Sequence, residues 1–360
     1  VNEIVRPRRG ARLAAITGGG AIPDTADYRV IEEPAETYIG TVNEDFAIES
    51  MAGDIFLLGN RSWRIRRVEA GKIRVTDAQG APPHIPFWLG EAPARTFELS
   101  QAVSDLRSEI AERVEHHDSA EEWLKKETGI DPLGAVQMIQ YIADTVATLG
   151  CVPTVDTIVA ERFFDESGGM QLVIHSPLGG YINRAFGLAL RKRFCVSFDF
   201  ELQAAATDDG IVISLGEQHS FPLDSVFSMI SLRTVEADLT QAALQSPMFT
   251  SRWRWNITRA LALLRHSSGK RVPMPIQRMR ADDLLAAVFP AQVACGDNHL
   301  AGPIDLPDHP LVNETKENCL YEAMDLHGLK GLLSNIRSGA VATVTVETRA
   351  PSPMSREILN

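Results

Sequence analysis

Between residues 28 and 78, apolar and polar positions alternate in five short runs, 28–31, 38–42, 54–58, 62–68 and 73–76, with turn residues such as Gly59-Asn60 and Ala70-Gly71 between them. Period-two alternation bounded by such residues predicts antiparallel strands, and the even spacing predicts a small barrel or a strongly bent sheet. In the fourth run Ser62, Arg64, Arg66 and Val68 share one face, and Trp63, Ile65 and Arg67 the other. Pro82-Pro83 then halts the sheet, and Ile85-Pro86-Phe87-Trp88-Leu89-Gly90 follows as a rigid, aromatic, non-helical segment. A tryptophan held between prolines and a glycine is either a core plug or a platform for stacking.

After residue 95 the period lengthens. Leu99, Val103, Leu106, Ile110 and Val114 recur at helical spacing and predict an amphipathic helix. Ser119-Ala120-Glu121-Glu122 matches a capping box for a second helix, and Asp131-Pro132 opens a third over 133–148, closed by Gly150. From 170 to 215 the pattern is mixed. Strands are predicted at 170–175, 196–202 and 210–215, with a turn at Ser176-Pro177-Leu178-Gly179-Gly180 and a helix over 183–194. Helices are predicted at 222–230, 234–244, 249–264, 281–289 and 309–336, a last strand at 340–347, and a soft loop at 295–310. The fold class is therefore α+β: a small antiparallel β-barrel or bent sheet near the N-terminus, then a larger, mostly helical part with a mixed α/β segment.

The net charge of −12 argues against a general nucleic-acid binder, but the charge is segregated. Residues 247–281 hold eight Lys or Arg and no acid, residues 181–196 hold four and no acid, and residues 61–72 hold five against Glu69 alone. Such segments can form a local footprint for phosphate on an acidic protein. The four cysteines, Cys151, Cys195, Cys295 and Cys319, lie far apart, which reads as buried thiols in a reducing compartment. No apolar run has the length of a membrane span, so no membrane partner is expected. The first residue is Val1 and the last ones, Ser355 to Asn360, read as the start of a helix, so the chain is expected to be a piece of a longer polypeptide.

The sequence carries no G-x-x-x-x-G-K-[ST] loop, G-x-S-x-G elbow, H-E-x-x-H helix or glycine-rich dinucleotide fingerprint. No cofactor is expected in this chain, and its own catalysis is uncertain. His116-His117-Asp118 reads as surface residues rather than a metal site, because adjacent helical histidines point apart. Asp165-Glu166 reads as caps or ion pairs. Arg252-Trp253-Arg254-Trp255, with Arg259 and Arg265 beyond, is either core tryptophans with paired arginines or a basic aromatic strip for a nucleic-acid strand. The turn at 176–180, ahead of Arg184, is either a plain strand-to-helix turn or a cradle of N–H groups for phosphate.

Five runs, 10–30, 40–65, 82–95, 162–194 and 248–265, resemble the Lhr (large helicase-related) family of superfamily 2 DNA helicases, and the likeness extends over nearly the whole chain. The resemblance implies the C-terminal part of the helicase core: residues 1–26 as the end of a winged-helix domain and linker, 27–98 as the β-barrel part of an accessory domain, and 99–360 as its helical and mixed part. It implies a cytoplasmic, nucleoid-associated bacterial protein whose parent moves 3′ to 5′ on single-stranded DNA. DNA duplexes and RNA–DNA hybrids would be its substrates. ATP and Mg²⁺ would bind upstream RecA-like motor domains. The family's DNA contacts would fall on Ile22, on Glu44 in Asn43-Glu44-Asp45-Phe46, and on Trp88, which would stack on a base. The residues themselves add Arg61, Trp63, Arg64, Arg66, Arg184, Arg252 and Arg254 as candidate DNA contacts. The accessory domain also resembles winged-helix DNA glycosylases. That raises an alternative, a base-excising module in which Glu44 or Asp165 activates water, although likeness of fold alone does not carry activity.

Overall fold

A computed structural model describes residues 6–17, 27–58, 61–81, 94–116, 119–164, 169–198, 203–215, 221–267, 270–292 and 303–359. The turn Gly59-Asn60, the Trp88 segment, Ile22 and the acid pair Asp165-Glu166 lie outside the described residues, as does most of the loop expected at 295–310. The chain divides into two compact units, Val1–Gly90 with Ala243–Cys319, and Glu91–Ala242 with Leu320–Asn360.

In the first unit each of the five alternating runs is a strand: β1 (Asp27–Glu32), β2 (Thr37–Asn43), β3 (Ile55–Leu58), β4 (Arg61–Glu69) and β5 (Lys72–Asp77). They form one sheet in the order β2-β1-β5-β4-β3. The sheet is open, so the bent-sheet form of the expectation holds and the closed barrel does not. One pair is not antiparallel. β1 runs parallel to β5, which is possible because three strands and a helix separate them in sequence. Tyr28, Val30, Val42, Phe56, Trp63, Ile65, Ile73 and Val75 turn inward and form the core with Phe46 and Ala47. The latter two come from a short helix, Glu44–Glu49, that strand periodicity does not reveal, and Phe46 packs on Phe56 with ring centroids 5.0 Å apart.

The chain returns to this unit through helices Pro247–Arg259, Met274–Val288 and Pro310–Asn318. Ser246 caps the first, its hydroxyl accepting from the Met248 N–H, and Pro247 occupies the first turn, where a missing N–H is harmless. Trp253 is fully buried and donates its indole N–H to the Ala281 carbonyl at 2.9 Å, which ties the first helix to the second.

The second unit begins with three helices, Phe97–Glu115, Ala120–Thr128 and Pro132–Leu149. Asp131 caps the third by accepting from the N–H groups of Leu133 and Gly134, as the Asp-Pro pair predicts. Ile110, Leu124, Ala135, Ile142 and Met354 form their shared core. A second five-stranded sheet follows. It contains β6 (Thr157–Phe164), β7 (Met170–His175), β8 (Gln203–Ala206) and β9 (Gly210–Leu215), and a last strand, Ala342–Glu347, lies parallel to β6 at the edge.

Three expectations change here, and one element is new. Helix Gly180–Phe198 takes the first three residues of the strand expected at 196–202, and among the described residues the next strand, β8, begins at Gln203. The segment expected as one helix at 309–336 is two, Pro310–Asn318 and Leu326–Ser338, with a π-turn at Cys319–Ala323 between them. Residues 223–228 form a 3₁₀ turn rather than an α-helix. β6 was not foreseen.

Candidate nucleic-acid interface

The basic strand β4 is organised by a single irregularity. Ile65 pairs with Val75 and Arg67 with Arg74, so Arg66 is an extra residue in the ladder. A bulge breaks side-chain alternation and twists the strand. Before it, Trp63 and Ile65 are buried on one face, with Arg61 exposed at the start of the strand, and Ser62 and the half-buried Arg64 lie on the other. From the bulge on, Arg66, Arg67 and Val68 are all exposed. The expected two-face division of β4 thus holds only up to Ile65.

The cations of this sheet differ in how they are held. Arg67 bridges Glu33 at 2.6 Å and Glu69 at 2.8 Å, and Arg74 pairs with Glu69 at 3.3 Å and with Glu36. Arg64 donates to the Gly53 carbonyl at 3.3 Å. Arg61 and Arg66 are exposed and form no ion pair among the described residues. Trp63 lies in the core at 3% exposure, its indole N–H directed at the Leu58 carbonyl across the hairpin, 3.3 Å away. It is a structural residue of the sheet.

The Arg-Trp helix is interior. Arg252 and Arg254 are each only 6% exposed. The Arg252 guanidinium lies 4.9 Å from the Trp255 ring centroid, and Arg254 reaches the fully buried Glu44 at 3.6 Å. Arg278 joins this cluster. Burial pushes its guanidinium down from its ordinary value, against the pull of Glu44 and Asp282, and burial pushes the Asp282 carboxyl up. The buried Trp253 and the Arg254–Glu44 pair accord with the first reading of this helix, while Trp255 is half-buried. Glu44 fixes the 247–259 helix to the helix that starts at Glu44.

In the second unit, Arg184 donates to the Ala323 carbonyl at 2.7 Å and lies over the Tyr181 ring. The turn at 176–180 holds no spare N–H cradle at its glycines. Gly179 donates to the Asp208 carbonyl at 3.0 Å, and Gly180 donates to the Asp208 carboxylate at 2.7 Å. Gly179 has φ +94°, and a Cβ there would sit 2.6 Å from the Arg95 carbonyl oxygen, so only glycine fits this turn.

The densest polar constellation was not foreseen. Glu161, in the middle of β6, has no exposed surface, yet its carboxylate accepts from five donors. These are His175 Nε2 at 2.8 Å, the Ser352 amide at 2.8 Å, Ser352 Oγ at 2.7 Å, Thr348 Oγ1 at 2.8 Å and Ser355 Oγ. Burial alone would raise this carboxyl, but hydrogen bonds from His175, Ser355 and Ser352 outweigh it and hold the group down to about 2. Ser355 Oγ also lies 3.2 Å from His175 Nε2. Serine and carboxylate therefore share one ring nitrogen. A nucleophilic triad needs them on opposite nitrogens, so this geometry does not activate the serine. Its effect is to pin the segment 348–355 onto β6 and β7.

The family model described as "DEAD/H associated" matches residues 152–355, and that described as "Large helicase-related protein, winged helix domain" matches residues 2–85. The chain belongs to the large helicase-related (Lhr) family. It is 31% identical over 98% of its length to the "Lhr helicase/ probable uracil glycosylase" of Mycolicibacterium smegmatis, spanning 22% of that protein. It is 29% identical to the "Lhr helicase/uracil glycosylase" of Escherichia coli, again over 22% of that protein, and 27% identical to the "ATP-dependent helicase Lhr-Core" of Saccharolobus solfataricus, over 40% of it. Among solved structures, that of the Mycobacterium smegmatis helicase Lhr bound to ssDNA and AMP-PNP is similar with a TM-score of 0.69 and 27% identity, covering 98% of this chain and 39% of that one. The chain thus spans roughly a fifth to two-fifths of the relatives it matches. Archaeal as well as bacterial members are among them, so membership alone does not make the source bacterial.

Proposed function

We propose that this chain is the single-stranded DNA-binding accessory region of an ATP-dependent 3′–5′ DNA helicase of the Lhr family. The observation that carries the reading is the alignment of 98% of the chain with an Lhr helicase solved with ssDNA and AMP-PNP. On this reading ATP and Mg²⁺ are handled by motor domains elsewhere in the parent polypeptide, which also engages DNA or RNA–DNA duplex. The strand is held in two ways. Arg61, Arg64 and Arg66 of β4 meet phosphates, and Trp88, carried over from the family's motif together with Ile22, stacks on a base. Trp63 and the Glu44–Arg254 pair support this surface from within, and Arg184 and Arg252 act through packing rather than by touching DNA.

Two relatives carry "uracil glycosylase" in their names, but each extends far beyond the matched region. Glu44 would be a poor base for attacking water, since it is fully buried beside Arg254. The accessory reading is therefore preferred. Titrating a fluorescent oligonucleotide with the chain, by anisotropy at low salt, tests it. Saturable binding is expected, and its absence would refute the reading.

A further inference from the structure

The edge strand β2 carries an irregularity that matches the one in β4. Tyr28 pairs with Val42, Arg29 with Thr41 and Val30 with Gly40, but Ile31 pairs with Tyr38, so Ile39 is an extra residue in the ladder. Strict alternation from the buried Val42 would turn Tyr38 inward and Ile39 outward. Across the bulge the two exchange sides. Ile39 packs against the core of the sheet, and Tyr38 stands 52% exposed. Re-aiming a side chain beside a functional site is a recurring use of a bulge.

The exposed ring is backed by a cation. The Arg29 guanidinium lies over it, 5.1 Å from its centroid, so the remaining exposure falls on the other ring face and the ring edge. Arg29 is itself exposed and forms no ion pair among the described residues. Its register partner on β5 is Lys72, half-buried and likewise without an ion pair among the described residues. The acids Glu33, Glu36 and Glu69 of this sheet are committed to Arg67 and Arg74 instead. A docking protein would look for a wider apolar patch, but Ile31 is buried and Ile39 is packed on the core. One open ring beside two uncommitted cations suits a nucleic-acid strand. Every base has a π-face to stack on the ring, and a stacked guanidinium keeps its N–H edge for phosphate. We infer that Tyr38, backed by Arg29, is a second stacking platform for a base of the bound strand, with Arg29 and Lys72 taking adjoining phosphates. The inference rests on the strand-binding reading above and carries the strand's path from β4 across β5 and β1 to β2.

The test measures binding of the full chain to a fluorescent single-stranded oligonucleotide by anisotropy at low salt. Tyr38→Ala should weaken binding about five- to hundredfold at an unchanged melting temperature, and Tyr38→Phe, which keeps the ring, should stay within about twofold of the unsubstituted chain. Two further readings separate stacking from charge. An abasic site stepped along the oligonucleotide should weaken the unsubstituted chain at a position where it no longer weakens Tyr38→Ala. Arg29→Gln and Lys72→Gln should each make the log–log salt slope shallower by about 0.7, whereas Tyr38→Ala should leave the slope unchanged. If Tyr38→Ala binds like the unsubstituted chain while loss of the β4 arginines weakens binding, the inference is overturned and the strand-binding reading stands. Equal losses in Tyr38→Ala and Tyr38→Phe, or the same abasic profile in both proteins, also overturn it. If the unsubstituted chain binds no strand, both fall.

Discussion

Glu161 carries a full charge in a place where charges are expensive. Because its folded value, about 2, lies below that of an unfolded glutamate, its ionised form stabilises the protein above the unfolded value. That contribution is lost as pH falls from roughly 4.5 towards 2. Thermal melts between pH 7 and pH 2 should therefore show an acid limb that is much flatter in Glu161→Gln. The variant should also be destabilised at pH 7 by about 3–5 kcal/mol, the usual effect of removing one partner from a buried charged network. An unchanged melt at pH 7 would contradict the role given to this residue. Trp88→Ala in the parent helicase should lower strand affinity by about 1–3 kcal/mol with the melt unchanged. A large fall in melting temperature would instead identify Trp88 as a core plug.

Helix Pro247–Arg259 and strand β4 carry similar basic and aromatic residues but serve opposite purposes, and burial decides between them. Trp253, fully enclosed and bonded to Ala281, should lose about 3–5 kcal/mol on change to Ala, read by chemical denaturation of the whole chain. A loss below 1 kcal/mol would argue that the helix is only loosely docked. The sequence was a good guide to elements whose signal is local. The alternation of β1 to β5, the Asp131-Pro132 cap and the helical stripe through Ile110 can all be read from neighbouring residues. It was a poor guide where the signal is distant. β6 was missed because Glu161 and Arg162 interrupt its apolar run, and the residues that satisfy Glu161, His175, Thr348, Ser352 and Ser355, lie 14 to 194 positions away. The bulge at Arg66 depends on the register with β5, which periodicity of one strand does not contain. The Arg-Trp helix left two readings open because its decisive acid, Glu44, lies about two hundred residues upstream.

For the molecule as a whole, the acidic net charge and the open basic residues of β4 have to be reconciled. Arg67 and Arg74 in the first unit and Arg95, Arg107, Arg162 and Arg193 in the second are held by acids of their own unit, while Arg61 and Arg66 are exposed and form no ion pair among the described residues. The chain by itself should not hydrolyse ATP, since its sequence has no phosphate-cradling loop. DNA-stimulated phosphate release by the purified chain would contradict that. The account depends most on β4 as a phosphate-binding surface. The most direct measurement is the affinity of the chain for a single-stranded oligonucleotide as a function of salt, alongside the variant carrying Arg61→Gln, Arg64→Gln and Arg66→Gln. Each neutralised single-strand phosphate contributes about −0.7 to the log–log slope, so the variant should bind more weakly at low salt with a slope shallower by about 2, its fold intact. Equal affinity and equal slope for the two proteins would contradict the account.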